Sequence, residues 1–161
     1  MTWIICIAIV LGVVASAEDL WRRRVSNILT GPALVIGVIA HSVLSGWDGA
    51  IDSTLGALIG FVVFFVFFLM GGMGGGDVKL MAAFGAILGR GQIVTAAIMA
   101  ALVGGVIAVA YLGGKKLWRA VGKKDASGTP DRKDFIPYAP AISLGALLSF
   151  LGEEDIWTSV S

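Results

Sequence analysis

The sequence has very little of the side-chain chemistry on which disulfide frameworks and most metal sites depend. Its 161 residues include one cysteine, Cys6, and one histidine, His41. A single cysteine excludes an intrachain disulfide and a cysteine-rich zinc site, and we expect neither a metal nor another cofactor. Because His41 has no second histidine or clustered acid near it in the sequence, we interpret it as an interfacial residue near a helix end.

Charged residues are also scarce. They make up 14% of the chain, whereas a soluble domain carries about 25%. Apolar residues make up 57%, and the mean hydropathy is +0.91. These values exclude an ordinary soluble domain, and nothing in the sequence resembles a nucleic-acid-binding module. They predict an all-α, polytopic helix bundle in a lipid bilayer, with a single domain over residues 1–161.

Six apolar stretches are interpreted as membrane-spanning helices, for which about 20 apolar residues are typical. They cover residues 3–17, 28–44, 54–70, 78–88, 93–112 and 135–151. The stretch 78–88 is short, so we expect it to be half-buried or tilted. Gly56 with Gly60, and Gly85 with Gly89, are small residues four positions apart, a spacing that lets helices pack closely in lipid.

Basic residues are segregated to one side of this six-helix arrangement. Eleven of the twelve fall on one side, and Arg90 alone falls on the other. The eleven are Arg22, Arg23, Arg24, Lys79, Lys115, Lys116, Arg119, Lys123, Lys124, Arg132 and Lys133. Because cytoplasmic loops carry an excess of Lys and Arg, the rich side is predicted to be cytoplasmic. Both termini then lie outside, and residues 113–134 form a basic cytoplasmic loop.

A glycine-rich break precedes the fourth predicted helix. Five of residues 71–76 are glycine, and Asp77 follows directly. Unpaired backbone is costly in lipid, so irregular chain at that depth must be buried in protein or line a wet cavity. An ionisable residue at that depth is a functional hypothesis by default. The alternative interpretation is a flexible loop that carries a surface acid.

Three of the eleven acidic residues are candidates for chemistry. The other eight lie in outward loops, the C-terminal tail or the basic loop, whereas Glu18, Asp19 and Asp77 lie at the predicted cytoplasmic ends of the first and fourth helices. Two close carboxyl groups do not both ionise readily, so one can take a proton from water while the other supplies one to an amide carbonyl. For Asp19, the alternative is a helix-end charge paired with Arg22 or Arg23.

Three stretches resemble, in order, those of the type IV prepilin peptidases, membrane aspartyl proteases with a Gly-x-Gly-Asp motif. Residues 74–89 read GGGDVKLMAAFGAILG, which is similar to the family's motif and to the sequence after it. Residues 19–27, DLWRRRVSN, resemble its first catalytic aspartate followed by basic residues and an asparagine. Residues 136–142, IPYAPAI, resemble its proline-aromatic-proline segment, and we expect Pro137 and Pro140 to kink the sixth helix.

The resemblance implies an aspartic endopeptidase with Asp19 and Asp77 as the catalytic pair. It is the resemblance that selects Asp19 over its acidic neighbour. Gly74 and Gly76 carry over as glycines that shape the site, and we expect the glycine-rich segment to accept an extended substrate peptide. Lys79 carries over as a motif residue, for which pairing with a substrate acid and snorkelling to the interface both stay open.

The implied substrate is a prepilin-like protein whose short basic leader is removed on the cytoplasmic side, before its hydrophobic helix. The implied partners are the pilus assembly machinery, and the implied location is a bacterial inner membrane, with the related archaeal preflagellin peptidases as the other possible source. Long members of the family have an extra region with paired cysteines and also N-methylate the pilin. This chain has a short first loop and one cysteine. It therefore resembles the short form that serves tight-adherence (Flp-type) pili, without zinc or methyltransferase activity.

Two other functions fit the same composition. One is a small proton-coupled carrier with Asp77 at a broken helix as its coupling site. We find no convincing similarity between the two halves of the sequence, although carriers often contain internal repeats. The other is a non-catalytic scaffold of a pilus or secretion machine that keeps the fold.

Overall fold

The structure, a computed structural model, describes residues 2–22, 25–71, 73–120 and 138–158. These residues form four helices: α1 (Thr2–Arg22), α2 (Asn27–Leu69), α3 (Gly75–Ala120) and α4 (Ala139–Thr158). Three of them contain stretches long and apolar enough to cross a bilayer, and the apolar part of α4, Ala139–Phe150, is shorter. The predicted all-α membrane fold is confirmed, and the count of six spans stays a prediction.

Two of the four helices are interrupted by residues with non-helical backbone. In α2 the break lies at Ser45 and Gly46, and Gly46 has a φ of 60°. In α3 it lies at Gly89, which has a φ of 78°. Positive φ is closed to most side chains, which explains glycine at both positions. The breaks separate the stretches predicted as the second and third helices, and as the fourth and fifth.

Small residues bring the second part of α2 against the first part of α3. A Cβ atom added at Gly60 would lie 2.6 Å from the carbonyl oxygen of Met81, and one added at Gly56 would lie 2.7 Å from the carbonyl carbon of Gly89. Gly56 also lies directly against Gly85. The predicted close packing at the two glycine pairs is therefore confirmed, and it is packing of backbone on backbone.

The first part of α3 is the centre of the bundle. Every residue from 80 to 89 is buried, and Phe84 and Ile87 are fully enclosed. The expectation that 78–88 is half-buried was wrong. A helix enclosed by protein on all sides does not have to match the thickness of the lipid, so a short apolar stretch suffices here.

A polar contact lies at the end of this buried stretch. Asp52 Oδ1 is 3.0 Å from Arg90 Nε, and the other carboxylate oxygen of Asp52 lies beside Gly89. His41 Nε2 is 2.9 Å from the carbonyl oxygen of Ile87. His41 thus joins α2 to α3, a role that its interpretation as an interfacial residue did not include.

The α3 and α4 ends differ from the predicted boundaries. Helix α3 continues to Ala120, so the first part of the stretch 113–134 is helical, which suits basic residues in a last helical turn. Residues 121–137, with the rest of that predicted loop and Pro137, lie outside the described residues. Pro140 lies in the first turn of α4, where proline needs no N–H partner, so it begins the helix and does not kink it.

Candidate active site

Asp19 and its neighbour Glu18 point in different directions from the end of α1. Asp19 is 1% exposed, whereas Glu18 is half-buried. Glu18 accepts a hydrogen bond from the backbone N–H of Ser26 at 2.9 Å and pairs with Arg22 at 4.0 Å. Arg22 therefore pairs with Glu18, and Arg23 lies outside the described residues. The structure separates the two acids that the sequence left adjacent.

Asp19 is held at the start of α4. Its Oδ2 accepts a hydrogen bond from the backbone N–H of Ala139 at 3.2 Å, and Ala139 is the first residue of that helix. The first N–H groups of a helix have no partner within the helix, and they carry its partial positive charge. Asp19 thus caps a helix that begins 120 residues later in the chain.

Asp77 is held at the start of its own helix. It is the third residue of α3 and is 2% exposed. Its Oδ2 accepts a hydrogen bond from the backbone N–H of Gly74 at 3.1 Å, and its own N–H donates to the carbonyl oxygen of Gly74 at 3.1 Å. This arrangement is one half of a capping box, in which the third helical residue reaches back to the residue before the helix. Gly74 therefore shapes the site through its backbone.

The two buried acids lie near one another although they come from distant parts of the chain. They lie within electrostatic range of each other, and Met73 and Tyr138, which adjoin the residues that bind them, line one apolar cleft. No hydrogen bond joins the two carboxyl groups in the described part of the chain, where each accepts from a backbone N–H. A helix cap alone explains one buried carboxylate, but it does not explain why two caps from separate helices meet.

Gly76 lets the connection between α1 and α2 lie against the start of α3. A Cβ atom added at Gly76 would lie 3.3 Å from both the backbone nitrogen and the carbonyl oxygen of Val25, which is tighter than ordinary contact. Gly75 and Gly76 belong to the first turn of α3. Their backbone is committed to the helix and offers no extended edge, and the expectation that the glycine-rich segment accepts an extended peptide stays a prediction for the residues before Gly75.

Lys79 lies on the surface at the same end of the bundle. Its Nζ donates a hydrogen bond to Asn27 Oδ1 at 2.9 Å, so it joins the start of α3 to the start of α2. Neither of the two roles left open for Lys79 included this contact. Asn27 is the last residue of the stretch 19–27, so that stretch touches the glycine-aspartate motif at two points, through Val25 and Asn27.

The lining of an apolar cleft of about 190 Å³ includes the two residues that directly precede the N–H groups bound by the acids. Met73 on its wall directly precedes Gly74, and Tyr138 directly precedes Ala139. The whole lining comprises Phe64, Phe67, Met73, Ala100, Ala101, Gly104, Gly105, Tyr138 and Ile142. Apart from the aromatic residues at the end of the third apolar stretch, no sequence pattern predicts this cleft.

The arrangement suits acid-base chemistry by two carboxyl groups. Among the described residues, no group of three His, Cys, Asp or Glu side chains lies close enough to hold a metal ion. A carboxylate and a carboxylic acid placed together can remove a proton from one oxygen and deliver one to another. The sequence did not predict the hydrogen bond from the Ala139 N–H to Asp19, because every residue type except proline has a backbone N–H. The available signal was Pro140 in the next position, which marks a helix start.

Comparisons with known proteins identify the family of the chain. Residues 6–109, which contain both acids, match the profile of the type IV leader peptidase family. The chain is 29% identical over 119 residues to the prepilin leader peptidase/N-methyltransferase of Bacillus subtilis (strain 168). That match covers 73% of this chain and 43% of the relative, so the chain spans less than half of the relative's length. No solved structure matches the chain. Because the family profile covers well over half of its residues, the chain belongs to the type IV leader peptidase family.

Proposed function

We propose that the protein is an aspartic endopeptidase that removes the leader from prepilin-like substrates, with Asp19 and Asp77 as its catalytic pair. The observation that carries the proposal is the meeting of two buried carboxyl groups, one from α1 and one from α3, within a chain of the leader peptidase family. Buried acids at membrane depth are rare unless they serve a function.

The chemistry follows from one proton shared by the pair. The ionised carboxylate takes a proton from water, and the water oxygen attacks the carbonyl carbon of the scissile amide. The protonated carboxyl group gives its proton to the carbonyl oxygen, and a tetrahedral intermediate forms. When the intermediate collapses, the C–N bond breaks and the amine nitrogen leaves with a proton from the acid that first accepted one. The other aspartate, now ionised, takes a proton from a hydroxyl of the intermediate, which becomes the new carboxyl group. Each aspartate therefore serves as acid and base in turn, and the net reaction consumes one water.

We propose that the attacking water lies between the two acids. Each is already bonded to a backbone N–H, from Gly74 or from Ala139, and within the described residues no hydrogen bond joins the two carboxyl groups directly. Movement of either helix during the cycle is compatible with this arrangement, since each acid is tied to a helix start and not to the other acid.

The apolar cleft beside the acids supports a substrate that is hydrophobic on one side of the scissile bond. Met73 and Tyr138 place the cleft at the same level as Gly74 and Ala139. We propose that the hydrophobic part of the substrate occupies this cleft and that its scissile bond reaches the two carboxyl groups. A prepilin whose leader ends at its hydrophobic helix has that pattern, and we propose the Flp-type pilins as its class.

Topology and location complete the proposal. Asp19, Asp77 and Lys79 lie at one end of the bundle, and Asp52 and Arg90 lie together near Gly89. This agrees with six spans, external termini and a site at the cytoplasmic face of a bacterial inner membrane, where prepilins enter the pilus assembly machinery. The relative's name includes N-methyl transfer, but the chain covers 43% of that protein, and we propose leader removal alone.

The test uses the full chain and a prepilin reporter, either co-expressed or combined in proteoliposomes, with cleavage followed by mass spectrometry. Asp19→Asn and Asp77→Asn are each expected to lower the cleavage rate by at least about a hundredfold, because an amide cannot transfer the proton. Glu18→Gln is the matched control, since Glu18 adjoins Asp19 but faces away from the pair. It is expected to cleave at the wild-type rate.

Three results would refute the proposal. Continued cleavage with both aspartates replaced would show that the pair is not catalytic. Ion flux through the reconstituted wild type without cleavage would favour a carrier. A wild type that inserts and binds the prepilin without cutting it would favour an assembly scaffold.

A further inference from the structure

A serine on α4 contacts α1 one helical turn from the aspartate bond. Ser143 is 5% exposed, and its Oγ lies 3.1 Å from the carbonyl oxygen of Gly12 and 2.7 Å from that of Ala139. Ser16 Oγ donates to Ser143 Oγ at 3.2 Å. Since a hydroxyl has one proton and two lone pairs, Ser143 can accept from Ser16 while it donates to a backbone carbonyl.

The contact depends on close approach of the two helices. A Cβ atom added at Gly12 would lie 3.1 Å from Ser143 Cβ, which leaves no room for a larger residue without movement. Small and hydroxyl-bearing residues at such crossings are how helices associate in lipid, where hydrophobic burial gives no driving force between them.

The serine contact and the aspartate contact are in register. Gly12, Ser16 and Asp19 are separated by four and three residues, so they share one face of α1. On α4, Ala139 and Ser143 are likewise four residues apart. Ser143 therefore lies opposite Gly12 and Ser16. One turn along α4, Ala139 lies opposite Asp19. Any sliding or rotation of α4 that broke one contact would also displace the other.

We propose that Ser143 is a positioning residue for catalysis: it fixes α4 against α1 so that the Ala139 N–H holds Asp19 in its working orientation. This inference rests on the proposed function of Asp19. Ser143 lies on the Ala139 carbonyl of its own helix, as serines in membrane helices commonly do. Its contacts with Gly12 and Ser16 of α1 are additional to that bond.

The experiment compares buried serines on the same helix. Ser149 is 2% exposed, and its Oγ donates to the carbonyl oxygen of Ala146 within α4. Ser143→Ala and Ser149→Ala remove the same atoms, but only the first removes a contact with α1. With the full chain in proteoliposomes and a prepilin reporter, Ser143→Ala is expected to lower kcat about tenfold with KM within about twofold of wild type, since small misplacements of a catalytic group are costly. Ser149→Ala is expected to match wild type in both.

A third variant, Ser16→Ala, is expected to lower kcat by less than Ser143→Ala does. Ser16→Ala removes one donor but leaves the Ser143 hydroxyl 3.1 Å from the carbonyl oxygen of Gly12, so a loss of about two- to threefold in kcat is expected. If Ser143→Ala does not accumulate as folded protein, the comparison of Ser16→Ala with Ser149→Ala decides the question in the same way. Rates are normalised to folded protein measured by size-exclusion chromatography.

Two results would overturn the inference. Equal kcat values for Ser143→Ala and Ser149→Ala would show that the contact with α1 does not matter. A lower yield of Ser143→Ala with unchanged kcat per folded molecule would assign Ser143 to packing alone. Both differ from failure of the proposed function, which would show as no cleavage by wild type, or as cleavage that survives Asp19→Asn.

Discussion

Replacement of Gly60 by alanine tests whether backbone contact between α2 and α3 holds in place the helix that carries Asp77. The added Cβ would lie 2.6 Å from the carbonyl oxygen of Met81, 3.2 Å from its carbonyl carbon and 3.3 Å from Ile93 Cδ1. Real Cβ atoms essentially never approach other atoms closer than 3.0 Å, so one helix must move by at least about 0.4 Å. Met81 lies one turn after Asp77 in α3, so this shift reaches the proposed site.

Gly91→Ala is the matched control. Gly91 is exposed, also lies in α3, and has no atom within 4 Å of an added Cβ. Either change from glycine to alanine gains about 0.5–1 kcal/mol of helix propensity. Overpacking of a close contact costs about 1–3 kcal/mol and applies to Gly60 alone. Because the propensity terms cancel in the comparison, Gly60→Ala is expected to be less stable than Gly91→Ala by about 1–3 kcal/mol.

Both variants are to be unfolded in detergent micelles by denaturant and assayed for prepilin cleavage at a temperature where each is folded. Gly60→Ala is expected to show lower unfolding free energy and lower kcat, and Gly91→Ala to show neither loss. Unfolding free energies that agree within about 0.5 kcal/mol, the spread of neutral surface changes, would refute close backbone packing between α2 and α3 at Gly60.

Three further changes follow from the same contacts. Phe84 is fully buried and Phe61 is 38% exposed, so Phe84→Ala is expected to cost about 3–5 kcal/mol of unfolding free energy and Phe61→Ala much less; equal losses would contradict the central position of this segment. Gly89→Ala, at a φ of 78° beside the Asp52 carboxylate, is expected to lower unfolding free energy by about 1–3 kcal/mol, and an unchanged value would contradict the break in α3. Gly76→Ala, 3.3 Å from Val25, is expected to lower kcat more than stability, which steady-state cleavage with a parallel thermal melt would check.

Because lipid imposes strict rules, the sequence was sufficient to predict the apolar helices and to select two acids as candidates. A bilayer requires long apolar helices, so the stretches 28–44 and 93–112 could be read directly as helix. Small residues at a spacing of four predicted the contact that Gly56 makes with Gly85. Asp19 and Asp77 stood out since few acids occur at membrane depth, and the family resemblance chose Asp19 over Glu18.

Burial and contacts between helices could not be predicted from the sequence, because they depend on which helices are neighbours. The burial of residues 80–89 reflects their enclosure by other helices, and an apolar stretch has the same composition whether it faces lipid or protein. The same applies to His41, whose partner is the backbone of Ile87, and to the pairing of Asp52 with Arg90. Hydrogen bonds from backbone groups such as the N–H of Ala139 cannot be predicted from a pattern of side chains.

The positions of the two acids offset the unfavourable free energy of burying carboxylates inside a membrane protein. A buried carboxylate without a partner is strongly unfavourable, and two close together are worse. Here each one faces the first N–H groups of a helix, that of α3 for Asp77 and that of α4 for Asp19, where the helix dipole favours negative charge. Gly74 contributes its N–H to the Asp77 carboxylate. The glycine-rich break and the late helix start at Ala139 thus serve one purpose: they bring two helix N-termini to the place where acid chemistry is proposed.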